Sequence, residues 1–219
     1  MSLTVVKCGG AALARGTFRL GDYVTEGDAC VVHGAGGKIT AALAAAGIES
    51  RFVGGRRVTG PAAMPVVREV FRGENDALCR QIGPRARGLM GDELGLEADL
   101  LPGFGEVGIL RPVVPQELRD VLAAGDVPVI APLARGPLNV NADDAAAVLA
   151  IALGADRIVF VSDVPGVLVD GVVVPQLSAH DLIDLDSELS GGILPKLEAA
   201  LVAARKGVRA EVGATVVVA

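Results

Sequence analysis

The chain has 219 residues, with 20 Lys and Arg against 26 Asp and Glu, a net charge of −6. That length suits one α/β domain able to bury a sizeable core, and an acidic chain without basic blocks makes a poor nucleic-acid or membrane-surface binder. Hydrophobic residues reach 51% but aromatics only 3%, so Val, Leu, Ile and Ala must build the core, as in a sheet covered on both faces by Ala-rich helices.

Residues 3–6 read as a buried strand running into Lys7-Cys8-Gly9-Gly10, and 29–32 as a second, running into His33-Gly34-Ala35-Gly36-Gly37. A helix over 38–46 follows, closed by Gly47. Residues 52–59 (FVGGRRVT) read as a hairpin over a cleft. Helical spacing over 65–71 is extended by 75–82, a strand is expected over 87–90, and hairpins over 95–112. A helix over 115–124 stops at Gly125, and 127–131 is a strand. NVNADD at 139–144 leads into a helix over 145–153, stopped by Gly154, and strand 157–161 runs into Ser162-Asp163-Val164-Pro165-Gly166. A short strand at 172–174, a weak helix over 178–185, a helix over 197–205 opened by Gly191-Gly192, and strands at 208–212 and 215–218 complete the reading. Strands alternating with helices imply a mainly parallel sheet with helices on both faces.

The opening MSLTVVKCGG lacks the pattern of a secretory leader, and no apolar run has the length of a membrane span. Cys8, Cys30 and Cys79 show neither metal spacing nor an even disulfide framework. A reduced, cytoplasmic chain is expected.

The chain has four lysines, Lys7, Lys38, Lys196 and Lys206. Two lie inside glycine-rich motifs and Lys38 directly follows one, a placement that points to an anion. Strand, glycine loop and helix in succession aim backbone N–H groups at such a ligand. Read alone, Lys7 is equally a surface lysine before a turn, and the loop 34–37 has neither GxGxxG nor GxxxxGK[ST] spacing. Lys196 says more: a cation in the first turn of a helix opposes the dipole unless an anion joins it. Asp143 and Asp144 read equally as ordinary acids at a helix start. Asn139 and Asn141 offer amides to a carboxylate or to a backbone turn. Asp163 reads as a turn former or as a ribose or metal ligand. Arg57 suits a carboxylate, although Arg56-Arg57 taken alone reads better as a solvated face. His33 reads as a packing residue.

The ordered set KCGG at 7–10, HGAGG at 33–37, FVGGRRVT at 52–59, NVNADDAA at 139–146, SDVPGVL at 162–168 and GGILPK at 191–196 resembles the amino acid kinase family, and within it the acetylglutamate kinases. The resemblance runs from residue 5 to about 205. It implies an open αβα sandwich forming one domain over 1–219, with an acyl-substrate lobe over about 1–133 and a nucleotide lobe over about 134–219. It implies ATP with Mg²⁺ as co-substrate, the metal riding on the phosphates without protein side-chain ligands. By motif, Lys7 and Lys196 would stabilise the transferring phosphoryl group, with Asp143 holding them. Gly9, Gly10, Ala35 and Gly36 would line phosphate or substrate oxygens. Arg57 and Asn139 would fix the substrate, and Asp163, Val164, Gly166, Val167, Leu168 and Ser190 the nucleotide. The reaction implied is phosphorylation of N-acetyl-L-glutamate to its acyl phosphate in arginine biosynthesis. A kinase for aminoadipate or glutamate on a small carrier protein, and a nucleotide-binding regulator without catalysis, are the alternatives.

The chain departs from the family pattern in three places. Ala35 stands where the family has glycine, so its methyl is expected to crowd the substrate. The stretch between Gly10 and Ala29 is short for the family's first helix, and the C-terminal segment is abbreviated. No N-terminal extension of the kind linked to hexamers and arginine feedback is seen, so a homodimer is expected.

Overall fold

The computed structural model describes residues 2–9, 23, 28–161, 164–185 and 193–219. In chain order the first half comprises β1 (Leu3–Cys8), β2 (Asp28–His33), α1 (Gly36–Ala45), the hairpin β3 (Arg51–Val53) and β4 (Arg56–Val58), α2 (Met64–Ile82), β5 (Ala86–Met90), the short α3 (Gly91–Leu94), β6 (Ala98–Leu100), β7 (Val107–Leu110), α4 (Gln116–Ala123) and β8 (Val127–Ala131). The second half comprises β9 (Leu133–Ala134), β10 (Leu138–Val140), α5 (Ala142–Leu153), β11 (Arg157–Phe160), β12 (Leu168–Val169), β13 (Val172–Val173), β14 (Gln176–Leu177), α6 (Ala179–Leu185), α7 (Ile193–Ala204), β15 (Arg209–Val212) and β16 (Thr215–Val217).

The central sheet runs β14-β16-β15-β11-β1-β2-β8-β5, parallel except where β15 meets β16. Alternation along its strands divides the core into two faces. Val5, Cys30, Val32, Ile130, Ile158 and Phe160 pack with Leu118 of α4 and the small residues of α5 and α7. Val6, Cys8, Val31, Val129 and Val159 pack with Leu78 of α2. Alanines at 145–147 and 199–200 let α5 and α7 sit close to each other and to the sheet. The expected open αβα sandwich is the observed architecture.

After β1 the chain adds β2, β8 and β5 on one side, then returns to lay β11 on the other. The strand order therefore reverses at β1, and the crevice beyond the carboxyl ends of strands at such a point is where open α/β sheets bind ligands. Lys7 and Cys8 end β1, and Gly34 N–H donates to the Cys8 carbonyl at 2.8 Å, pinning the glycine loop beside that end.

A second sheet, β6-β7-β10-β9, roofs this region. The expected boundary near residue 133 falls within its strand β9. The sequence pattern predicts neither β9 nor β10, which are two and three residues long. Helix α2 fuses the two segments expected at 65–71 and 75–82 into one helix of 19 residues with Pro65 in its first turn, where a missing N–H costs nothing.

Candidate active site

Lys7 and Asp143 form the centre of the cleft. Lys7 Nζ lies 2.8 Å from Asp143 Oδ1, and both side chains are almost wholly buried. Asp143 reaches this position because Asn141, not an aspartate, caps α5: the Asn141 side-chain oxygen accepts from the N–H groups of Asp143 at 2.8 Å and Asp144 at 3.1 Å. The cap frees both carboxylates for cations. Asp144 takes Arg56, with Nη2 to Oδ2 at 2.6 Å. Burial pushes the Asp144 carboxyl up from the ordinary aspartate value, and Arg56 opposes that shift.

The far wall is the glycine turn and the start of α1. The α1 N-terminus has no side-chain cap and no acid in its first turn, so its leading N–H groups are available to an anion. Gly36 and Gly37 have open space where a Cβ would stand, whereas a Cβ at Gly9 would lie 3.9 Å from Lys7 Nζ. Ala35 is 1% exposed and packs with Ile39, Leu43 and Phe71 while also lining the cleft.

Arg57 closes the cleft from the hairpin. Its guanidinium donates to Ser50 Oγ at 2.5 Å, to the Gly36 carbonyl at 2.9 Å and to Thr40 Oγ1 at 2.8 Å, and it lies over the Phe52 ring with 4.4 Å to the centroid. Burial draws its pKa down from the free value. The reading of Arg56-Arg57 as a solvated face is thereby corrected, since both residues line the cleft. Asn139, in β10, donates to Thr59 Oγ1 at 3.0 Å. Thr59 is fully buried and joins three segments, its N–H donating to the Phe104 carbonyl and its own carbonyl accepting from Glu106 N–H at 2.6 Å. Glycine is required opposite it: Gly105 has φ +77, and a Cβ there would stand 2.4 Å from the Thr59 carbonyl oxygen. Together these groups enclose about 190 Å³ lined by Lys7, Gly9, Gly36, Arg57, Asn139 and Asp143 among others.

A model of the amino acid kinase family matches residues 2–213. The chain belongs to that family. An acetylglutamate kinase of Rubrobacter xylanophilus is 41% identical, over 97% of this chain and 88% of its own length. One of Chloroflexus aurantiacus is 40% identical, over 94% and 89%. Among solved structures, a Streptococcus mutans protein superimposes with a TM-score of 0.86 at 25% identity, covering 99% of this chain and 98% of that one. Carbamate kinase from Giardia lamblia bound to AMP-PNP superimposes with a TM-score of 0.69 at 10% identity, over 99% and 98%, a likeness of fold alone.

Not every residue expected in the site of this amino acid kinase lies in the cleft. Lys196 sits in the first turn of α7, partly buried, outside the cleft lining, while its neighbour Pro195 approaches the hairpin tip at Gly55. Val164, Gly166 and Val167 form a separate loop beyond β11, and Leu168 opens β12. Val167 is 1% exposed; its N–H donates to Thr215 Oγ1 at 2.9 Å and its carbonyl accepts from Val174 N–H. These two bonds fix the loop backbone at Val167. Leu168 is half-exposed. Gly10, Asp163 and Ser190 lie outside the described residues, as does most of the segment between Gly10 and Ala29.

Among the described residues, no group of three His, Cys, Asp or Glu is arranged to hold a metal ion, and no helix is long and apolar enough to cross a membrane. His33 is fully buried, its Nε2 3.1 Å from the Asn75 amide. Burial, aided by Lys38, lowers its pKa to about 3, so the ring is neutral. The three cysteines are free thiols, and burial pushes Cys8 and Cys30 up to about 12. Thr215 lies outside every motif, and Arg56, Thr59 and Asp144 lie inside motifs that assign them no contact. An Asn two residues before paired acids at a helix start is the signal that marks 141 as the cap.

Proposed function

We propose that this chain is an acetylglutamate kinase, transferring the γ-phosphoryl group of ATP to the side-chain carboxylate of N-acetyl-L-glutamate in arginine biosynthesis. The buried Lys7–Asp143 pair at the strand-order reversal carries the reading. A lysine there has its charge compensated before substrate arrives and turns toward developing negative charge without solvent reorganisation. Phosphoryl transfer asks for such positioning and positive potential rather than covalent help.

The substrate carboxylate is already ionised near neutral pH, so one of its oxygens attacks the γ-phosphorus directly. The bond from phosphorus to the β,γ-bridging oxygen breaks, its electron pair leaves on ADP, and no proton moves. A general base is unnecessary, and the neutral His33, turned to Asn75, is not placed as one. In this reading Lys7 and Lys196 meet charge on the phosphoryl oxygens, and Asp143 orients the lysines. N–H groups of Gly9, Gly10, Ala35 and Gly36 cradle oxygens. Arg57 and Asn139 hold the substrate's other end, while Asp163, Val164, Gly166, Val167, Leu168 and Ser190 hold the nucleotide. Mg²⁺ is carried by the ATP phosphates, where it neutralises charge. We place the enzyme in the cytoplasm, as a homodimer, with lobes for acyl substrate and nucleotide on either side of about residue 133.

The test supplies ATP, Mg²⁺ and N-acetylglutamate, with hydroxylamine to trap acyl phosphate as hydroxamate. Hydroxamate that depends on N-acetylglutamate is expected. ATP binding without hydroxamate overturns the acceptor and favours a carrier-linked acid; absence of ATP binding overturns the kinase reading.

A further inference from the structure

Three residues proposed for the reaction, Arg57, Asp143 and Lys196, each have a chain neighbour that ties the hairpin across the cleft. Arg56, beside Arg57, reaches from β4 to Asp144, beside Asp143, at 2.6 Å. Gly55, at the hairpin tip with φ +72, lies so close to Pro195, beside Lys196, that a Cβ there would stand 3.1 Å from the proline Cγ. The hairpin root is fixed independently, because Arg57 bonds Ser50, Gly36 and Thr40. One short hairpin thus rests on the acyl-substrate side through Arg57 and on the helices carrying Asp143 and Lys196 through Arg56 and Gly55. Both ends of the Arg56–Asp144 pair keep about a third of their side chains in solvent, 35% and 29%. A pair so exposed adds little to the stability of the fold; its leverage is on the position of the hairpin.

We propose that Arg56 and Asp144 form a latch that couples the two substrate sites: the hairpin seated by the acyl substrate engages Asp144 and Pro195, which favours the arrangement of α5 and α7 that takes the nucleotide. This rests on the acetylglutamate kinase reading. Coupling between sites is reciprocal, so each substrate tightens the other. Arg56 is a positioning residue, since it acts through Asp144 and the hairpin.

The measurement is the Kd of N-acetylglutamate, by calorimetry, with and without a non-hydrolysable ATP analogue and Mg²⁺. The wild-type chain is expected to bind at least about fivefold tighter with the analogue, the lower end of usual coupling. Arg56→Leu and Asp144→Asn should each bring that ratio toward one, the double variant should be no worse than either single, and Arg56→Lys should keep part of it. A merely structural role weakens binding equally in both conditions and leaves the ratio unchanged. A wild-type ratio of one, an Arg56→Leu ratio equal to wild type, or additive singles overturns the latch. Hydrogen exchange of the amides at 51–58 in the substrate-free chain gives a second readout that needs no acyl substrate. Faster exchange in Arg56→Leu is expected and equal exchange overturns the latch, even should N-acetylglutamate prove to be the wrong acceptor.

Discussion

Arg57 has five N–H donors, and three are committed to Ser50, Gly36 and Thr40. The Nε–H and one Nη1–H remain, so the side chain braces the α1 N-terminus and keeps donors for the substrate contact proposed above. Arg57→Ala is expected to raise the KM for N-acetylglutamate at least about tenfold, the worth of one charge-assisted contact, and to lower thermal stability as the brace is lost. Arg57→Lys should not rescue, because a single ammonium cannot serve a fork of acceptors. Steady-state kinetics with thermal unfolding of both variants measures this, and an unchanged KM would place the carboxylate elsewhere. At this scale the sequence was readable by residue type but not by partner. Lys7, Asp143 and Arg57 stand out as charges at glycine-rich turns, yet Arg56 reads as solvated surface until Asp144, 88 positions away, is seen beside it. Asn141 was masked as a cap by the two aspartates that follow, which are themselves acceptable at a helix start.

Among the elements, β1, β2, β8 and α5 were legible because each holds a largely apolar run with a clear stop: glycine after β1, β2 and α5, and proline after β8. β9 and β10 were not, since Pro132, Gly136 and Pro137 interrupt any period and pairing across the second sheet alone defines them. Helix α2 carries a polar tie that periodicity cannot reveal. Asn75, in its middle, donates to the Val129 carbonyl at 2.7 Å and sits against His33. A Cβ at Gly88 would stand 2.2 Å from Asn75 Oδ1, so β5 must pass the amide as bare backbone. Burial beneath α2, aided by Lys38, holds His33 neutral, and its pKa falls from 6.5 to about 3 on folding. The unfolded chain therefore binds a proton that the folded chain refuses between those values, and stability declines as pH falls through this window. His33 alone contributes a loss of about 1.4 kcal/mol for each pH unit below about 6.5. Urea unfolding between pH 7 and 5 should show that slope in the wild type and a shallower one in His33→Gln. Equal slopes would mean that another group governs this range.

Across the whole molecule, one continuous sheet carries both the cleft at β1 and the separate loop at 164–168, so the two proposed substrate sites depend on how the C-terminal strands close the far edge. Thr215, fully buried at the start of β16, makes that closure. Its Oγ1 accepts from Val167 N–H at 2.9 Å and donates to the Val174 carbonyl at 2.7 Å, and beside it Ala214 N–H donates to the Pro165 carbonyl at 2.7 Å. Gly166 lies so close that a Cβ there would stand 2.9 Å from Thr215 Oγ1. The proposed nucleotide loop is thus fastened 48 positions downstream of itself, which no local motif announces. Thr215→Val keeps the shape and deletes both bonds, leaving one donor and one acceptor buried and unpaired at about 1–3 kcal/mol each. The loop is expected to relieve that cost by shifting, so the KM for ATP should rise several-fold while the KM for N-acetylglutamate stays near wild type. Thr215→Ser, which retains the hydroxyl, should restore ATP binding even though it loses the methyl. A parallel rise in both KM values would show that Thr215 supports the fold as a whole, and an unchanged KM for ATP would remove the 164–168 loop from the nucleotide site.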